Sequence, residues 1–109
     1  MTLFSFFLDR RNAKLIEQLA GEVAQRCQPA VHARSARRAR TMPSAEARGY
    51  VRARSAEVIE RDINFVFRCE TNLDPVLRAD LKAAATERVV NLVMHDLVAI
   101  PVQRKRYAA

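Results

Sequence analysis

Apolar residues recur at intervals of three and four positions along most of this chain, the spacing that places them on one side of an α-helix. The first such segment covers about residues 10–27 and includes Leu15, Ile16, Leu19, Val23 and Cys27. Asp9 is the expected N-cap because its carboxylate can accept a hydrogen bond from the first turn. Pro29 is expected to interrupt the helix.

Two further periodic segments predict long helices over about residues 44–69 and 75–100. Ser44 is the expected N-cap of the second helix. The third has the clearest start signal in the chain, with Asp74 as N-cap and Pro75 at the first helical position. Pro101 is expected to end it. Because the connection between these two helices is short, they should lie antiparallel.

The basic segment between the first two helices, about residues 28–43, allows two interpretations. Its alanine and arginine content favours a short fourth helix, but it has almost no apolar stripe to bury, which favours a linker. The sequence thus predicts an all-α fold: a small antiparallel bundle of three long helices in a single domain, residues 1–109. A short basic tail, residues 101–109, is expected to follow it.

The third helix is apolar on more than one side toward its end and must be covered on more than one side. The stripe broadens at Val90, Met94, Leu97, Val98 and Ile100. The residues predicted for self-association are Val90, Val93, Met94, Leu97 and Ile100. Cover from the same chain and cover from a second copy are about equally expected, and the second alternative predicts a homodimer. The apolar segment at 3–8 is expected to cover the end of the bundle or a second subunit, rather than to insert at a membrane interface.

Positive charge is concentrated in one stretch of the chain. The formal net charge is +7, and residues 26–54 alone carry eight arginines against the single carboxylate of Glu46. The predicted binding surface consists of Arg34, Arg37, Arg38, Arg40, Arg48, Arg52 and Arg54. On a helix, Arg48 and Arg52 share a face and repel each other unless an anion lies between them.

Two functions fit this arginine surface. The first is a non-enzymatic interaction or scaffold protein that self-associates and contacts an acidic partner. That partner includes, as one option, the carboxylates of a neighbouring copy at Glu57, Glu60, Asp62, Glu70 and Asp80. The alternative is a nucleic-acid protein that grips phosphates without reading sequence. We rank it second because no zinc-finger, RNP-like or helix-turn-helix pattern accompanies the arginines.

Candidate chemistry is sparse in this sequence. Cys27, Cys69, His32 and His95 lack the local spacings of a metal site, and the only glycines, Gly21 and Gly49, form no phosphate loop. We therefore expect no catalytic residues, no metal and no cofactor, and an enzyme is not the predicted class. The apolar N-terminal run lacks the features of a signal peptide, so a cytoplasmic bacterial protein is the default expectation.

Overall fold

Three helices packed against one another make up the fold. The computed structural model describes the backbone of residues 3–108 and the side chains of residues 10–98. The helices are α1 (Leu3–Ala39), α2 (Ser44–Cys69) and α3 (Arg78–Ala108), and a single 3₁₀ turn, Pro75–Leu77, leads into α3. Each helix contacts the other two, and residues 3–108 contain no strand. The prediction of an all-α antiparallel bundle is confirmed.

The predicted bounds of the first helix are wrong at both ends. Helix α1 begins at Leu3, so Asp9 is not its N-cap, and it continues through Pro29 to Ala39. A proline inside a helix removes one backbone hydrogen bond and costs about 3 kcal/mol. Beyond Pro29, however, Val31 and Ala36 are buried in the core, and this burial offsets the cost.

The basic segment at 28–43 is therefore neither a linker nor a separate fourth helix. Its residues up to Ala39 form the last turns of α1, and only residues 40–43 make the connection to α2. In this turn, the backbone N–H groups of Thr41 and Met42 donate to the carbonyls of Arg38 and Ala39. Arg34, Arg37 and Arg38 are thus fixed on a helix, and Arg40 begins the turn that follows it.

Two prolines lie at the starts of helices, at Pro43 before α2 and Pro75 in the turn before α3, whereas Pro101 lies inside α3. Pro43 occupies the N-cap position of α2, so the expected cap at Ser44 is wrong by one residue. The Asp74 carboxylate accepts a hydrogen bond from Val76 N–H at 3.0 Å, and this confirms the start at Asp74-Pro75. The expected end at Ile100 is wrong because α3 extends to Ala108. Pro101 lacks its own N–H, yet residues 101–108 of the predicted tail are helical backbone.

A single core fills the space between the helices. Its largest fully buried side chains include Ile59, Ile63, Leu81, Val31 and Val89. Two serines, Ser35 and Ser55, are also buried, and each hydroxyl donates to a carbonyl of its own helix at 2.7 Å. Among the described side chains, no buried polar atom lacks a hydrogen-bond partner.

The two glycines lie inside helices and offer a direct test of the fold. A Cβ atom added at Gly49 meets no atom within 4 Å, whereas one added at Gly21 lies 2.9 Å from Arg88 Nη1. Since glycine costs about 1 kcal/mol relative to alanine inside a helix, we expect Gly49→Ala to raise the free energy of unfolding by about 1 kcal/mol. Gly21→Ala should gain less because Arg88 must move. Urea unfolding of both variants measures this, and a destabilised Gly49→Ala protein would contradict the helical surface assigned to that residue.

Candidate interaction surface

Three of the predicted surface arginines are paired with carboxylates of their own chain. Arg34 lies 3.8 Å from Glu57 across the α1–α2 contact. Arg48 and Arg52 both reach Glu87 of α3, at 3.5 and 2.5 Å. The anion expected between Arg48 and Arg52 is therefore the Glu87 carboxylate. These pairs are exposed, so each adds only about 0.2–1 kcal/mol to stability, but they partly neutralise the arginines involved.

The other four predicted arginines, Arg37, Arg38, Arg40 and Arg54, are exposed. Among the side chains of residues 10–98, none of them has a carboxylate oxygen within 4.0 Å. We call Arg37, Arg38 and Arg40, which lie at the α1–α2 turn, the basic end. The predicted surface thus divides into arginines that bind their own chain and arginines that face solvent.

The basic end lies where α1 turns into α2. Arg37, Arg38 and Arg40 fall within about one turn at the end of α1, so they fan out around it at about 100° per residue. Arg54 lies on α2, ten residues after Ser44, so it is about 15 Å along that helix from this end and stands apart from the other three arginines.

An apolar groove adjoins the basic end, and we call it the end groove. It has a volume of about 330 Å³, and its lining residues are Ala39, Arg40, Met42, Ser44, Ala47, Met94, Leu97 and Val98. Val98 is 70% exposed, and no acidic residue is among the described lining residues. The sequence offered no signal for this groove, because Met42 lies in the turn, outside any helical periodicity.

The residues predicted for self-association are largely core. Val90 and Val93 are fully buried and Leu97 is 6% exposed, while Met94 is partly buried against them. Val90 and Val93 therefore offer no surface to a second copy, because they are buried within the chain. Met94 and Leu97 line the end groove, and Ile100 and the side chains of residues 3–8 lie outside the described side chains. A homodimer stays a prediction.

Three of the five acidic residues expected to serve a neighbouring copy, Glu57, Glu60 and Asp62, are also paired within the chain. Asp62 pairs with Arg26 at 2.8 Å, and Glu60 accepts from Arg78 and Lys82 at 2.6 and 2.9 Å. The hydrogen bond to Asp62 raises the pKa of Arg26. Sequence patterns could not show these pairs, since each joins residues on different helices. These three carboxylates are consequently poor candidates for binding a second basic end.

The cysteines and histidines do not form a site in the described structure. Among the described residues, no three His, Cys, Asp or Glu side chains lie close enough together to hold a metal ion. Asp96 does not orient His95 but accepts a hydrogen bond from Gln28. Cys27 is buried, and this burial raises the pKa of its thiol to about 11, whereas Cys69 is exposed.

Thiol reactivity should separate the two cysteines. A thiol reagent such as DTNB needs an accessible thiolate. We expect it to modify Cys69 readily in the native protein at about pH 8. It should modify Cys27 only after unfolding, since the thiolate fraction there is very small. A Cys69→Ser variant that still reacts fast in the native state would contradict the buried position of Cys27.

The pH dependence of stability tests the ion pairs of Glu60. Hydrogen bonds from Lys82 and Arg78 lower the pKa of Glu60. A lowered folded-state pKa adds stability above the unfolded value of about 4.3, and this stability is lost as pH falls through the folded pKa. We expect Glu60→Gln to lose less stability than the parent protein between about pH 7 and pH 3. Urea midpoints measure the difference. Glu22→Gln is the control. An equal loss of stability in the parent protein and in Glu60→Gln would show that the ion pairs of Glu60 do not cause the pH dependence.

Two broader searches give negative findings. Within the described residues, no helix combines the length and apolar character that crossing a membrane requires. Comparison with protein-family models, curated proteins and solved structures finds no match to this chain. The case for a function therefore depends on the basic end and the end groove.

Proposed function

We propose that this chain is a non-enzymatic interaction protein whose basic end binds an acidic segment of a partner protein. One observation carries the proposal. Arg34, Arg48 and Arg52 are paired with carboxylates of the same chain, whereas the three arginines of the basic end face solvent with no described carboxylate within 4.0 Å.

Competition within the chain favours the basic end over the other arginines. An acidic ligand that approached Arg48 and Arg52 would have to displace Glu87, and one that approached Arg34 would compete with Glu57. At the basic end it displaces only water. A guanidinium group can bind a carboxylate through two parallel hydrogen bonds, and it is weakly hydrated. Neighbouring arginines are therefore suited to binding an acidic segment.

The distribution of the arginines supports an acidic protein ahead of a nucleic acid. The pairs with Glu57 and Glu87 place Arg34 at the α1–α2 contact, and Arg48 and Arg52 at the α2–α3 contact. The predicted surface therefore does not form one continuous basic face along the bundle. A duplex contact that neutralises many phosphates needs such a face. The basic end is short, and its size suits a short acidic segment.

Matched arginine variants test this proposal. The probe is a fluorescent peptide of about twelve residues rich in Glu, in about 0.15 M salt. Arg37/Arg38/Arg40→Gln and the control Arg34/Arg48/Arg52→Gln remove the same formal charge. Each exposed ion pair between an arginine and the peptide contributes about 0.2–1 kcal/mol to binding. We therefore expect Arg37/Arg38/Arg40→Gln to bind the peptide about tenfold more weakly and the control variant to change little. Fluorescence anisotropy measures both affinities.

Two results would overturn the proposal. The first is an equal loss in both variants, which would indicate that only net charge matters. The second is tighter binding to a labelled DNA duplex than to the peptide, with a salt dependence equivalent to about four or more neutralised phosphates that Arg37/Arg38/Arg40→Gln reduces. That result would support the nucleic-acid alternative.

A further inference from the structure

We infer that the acidic segment bound by the basic end is amphipathic and inserts an apolar side chain into the end groove. This inference rests on the proposed function and adds the class of partner to it. It joins two features at the same end of the bundle, the open arginines and an apolar groove beside them.

The groove has the form of an anchor site. Its volume of about 330 Å³ accommodates a large apolar side chain, and the lining residue Val98 is 70% exposed to water. Met42, in the α1–α2 turn, and Met94, on α3, both line the groove. Methionine side chains adjust their shape to different apolar partners, so the groove suits leucine, phenylalanine or methionine as an anchor.

Arg40 connects the groove to the charged surface. It lines the end groove and also belongs to the basic end. A carboxylate close in sequence to the apolar anchor would therefore meet Arg40, while other carboxylates meet Arg37 and Arg38. An apolar centre with a charged rim is the arrangement that protein interfaces commonly use.

The same features argue against a second copy of the chain and against a nucleic acid as the occupant. A second copy carries a formal charge of +7, and four of its carboxylates, Glu57, Glu60, Asp62 and Glu87, already bind arginine or lysine of their own chain. The phosphate backbone of a nucleic acid neutralises arginine but brings no apolar group to Met42 and Val98. An amphipathic acidic segment supplies carboxylates to the basic end and an apolar side chain to the end groove.

Two peptides of equal charge test the inference. Both are helical, acidic and about fifteen residues long; one has leucines on one face and the other has alanines at those positions. We expect the full-length protein to bind the leucine peptide about tenfold more tightly. Val98→Gln and Met42→Gln should each abolish most of this preference without weakening binding of the alanine peptide. Phe65→Gln is the control, since Phe65 is 51% exposed but lies in a different groove, between α1 and α2.

Each outcome bears on one of the two proposals. Equal binding of both peptides overturns the inference and leaves the proposed function in place, whereas no binding of either peptide overturns the proposed function itself. A preference that persists in both Val98→Gln and Met42→Gln, or that is lost in Phe65→Gln, overturns the end groove as the anchor site. Circular dichroism of each variant checks that it is folded, and Val98→Gln is the safer variant because its side chain is largely exposed.

Discussion

Continuity of α1 through Pro29 is the constraint on which the distribution of charge depends. It keeps the basic segment helical as far as Ala39, and the helix continues because Val31, Ser35, Ala36 and Ala39 are buried beyond the proline. Had the helix stopped at Pro29, the arginines after it would have formed a loose arm. Instead, packing fixes which of them face α2 and which face solvent.

Neighbouring carboxylates then divide the arginines into two groups. Arg26 and Arg34 meet Asp62 and Glu57 on α2, and Arg48 and Arg52 converge on Glu87 of α3. The acidic second half of the sequence thus neutralises much of the basic first half within one chain. The excess charge remains where α1 and α2 join, because no described carboxylate reaches the arginines there.

The helical periodicity was enough to predict the fold class and the start of α3 at Asp74-Pro75, because both depend on local patterns. It was not enough to place the end of α1, because the cost of Pro29 is local and its compensation comes from contacts with other helices. The same limit applies to the surface. The sequence located the arginines, but their division depends on Glu57 and Glu87, which are far from them in the chain. Val90 and Val93 were equally ambiguous, since an apolar stripe does not show which helix covers it.

The turn between α1 and α2 has a consequence for how fast and how rigidly a partner would bind. Only residues 40–43 join two long helices, and hydrogen bonds to Arg38 and Ala39 fix that turn. The arginines and the apolar groove therefore hold their relative positions before any ligand arrives. A preorganised surface of this kind loses little conformational entropy on association, and its charge accelerates the encounter with an acidic molecule. In such a complex, most of the conformational entropy lost on binding would come from the partner.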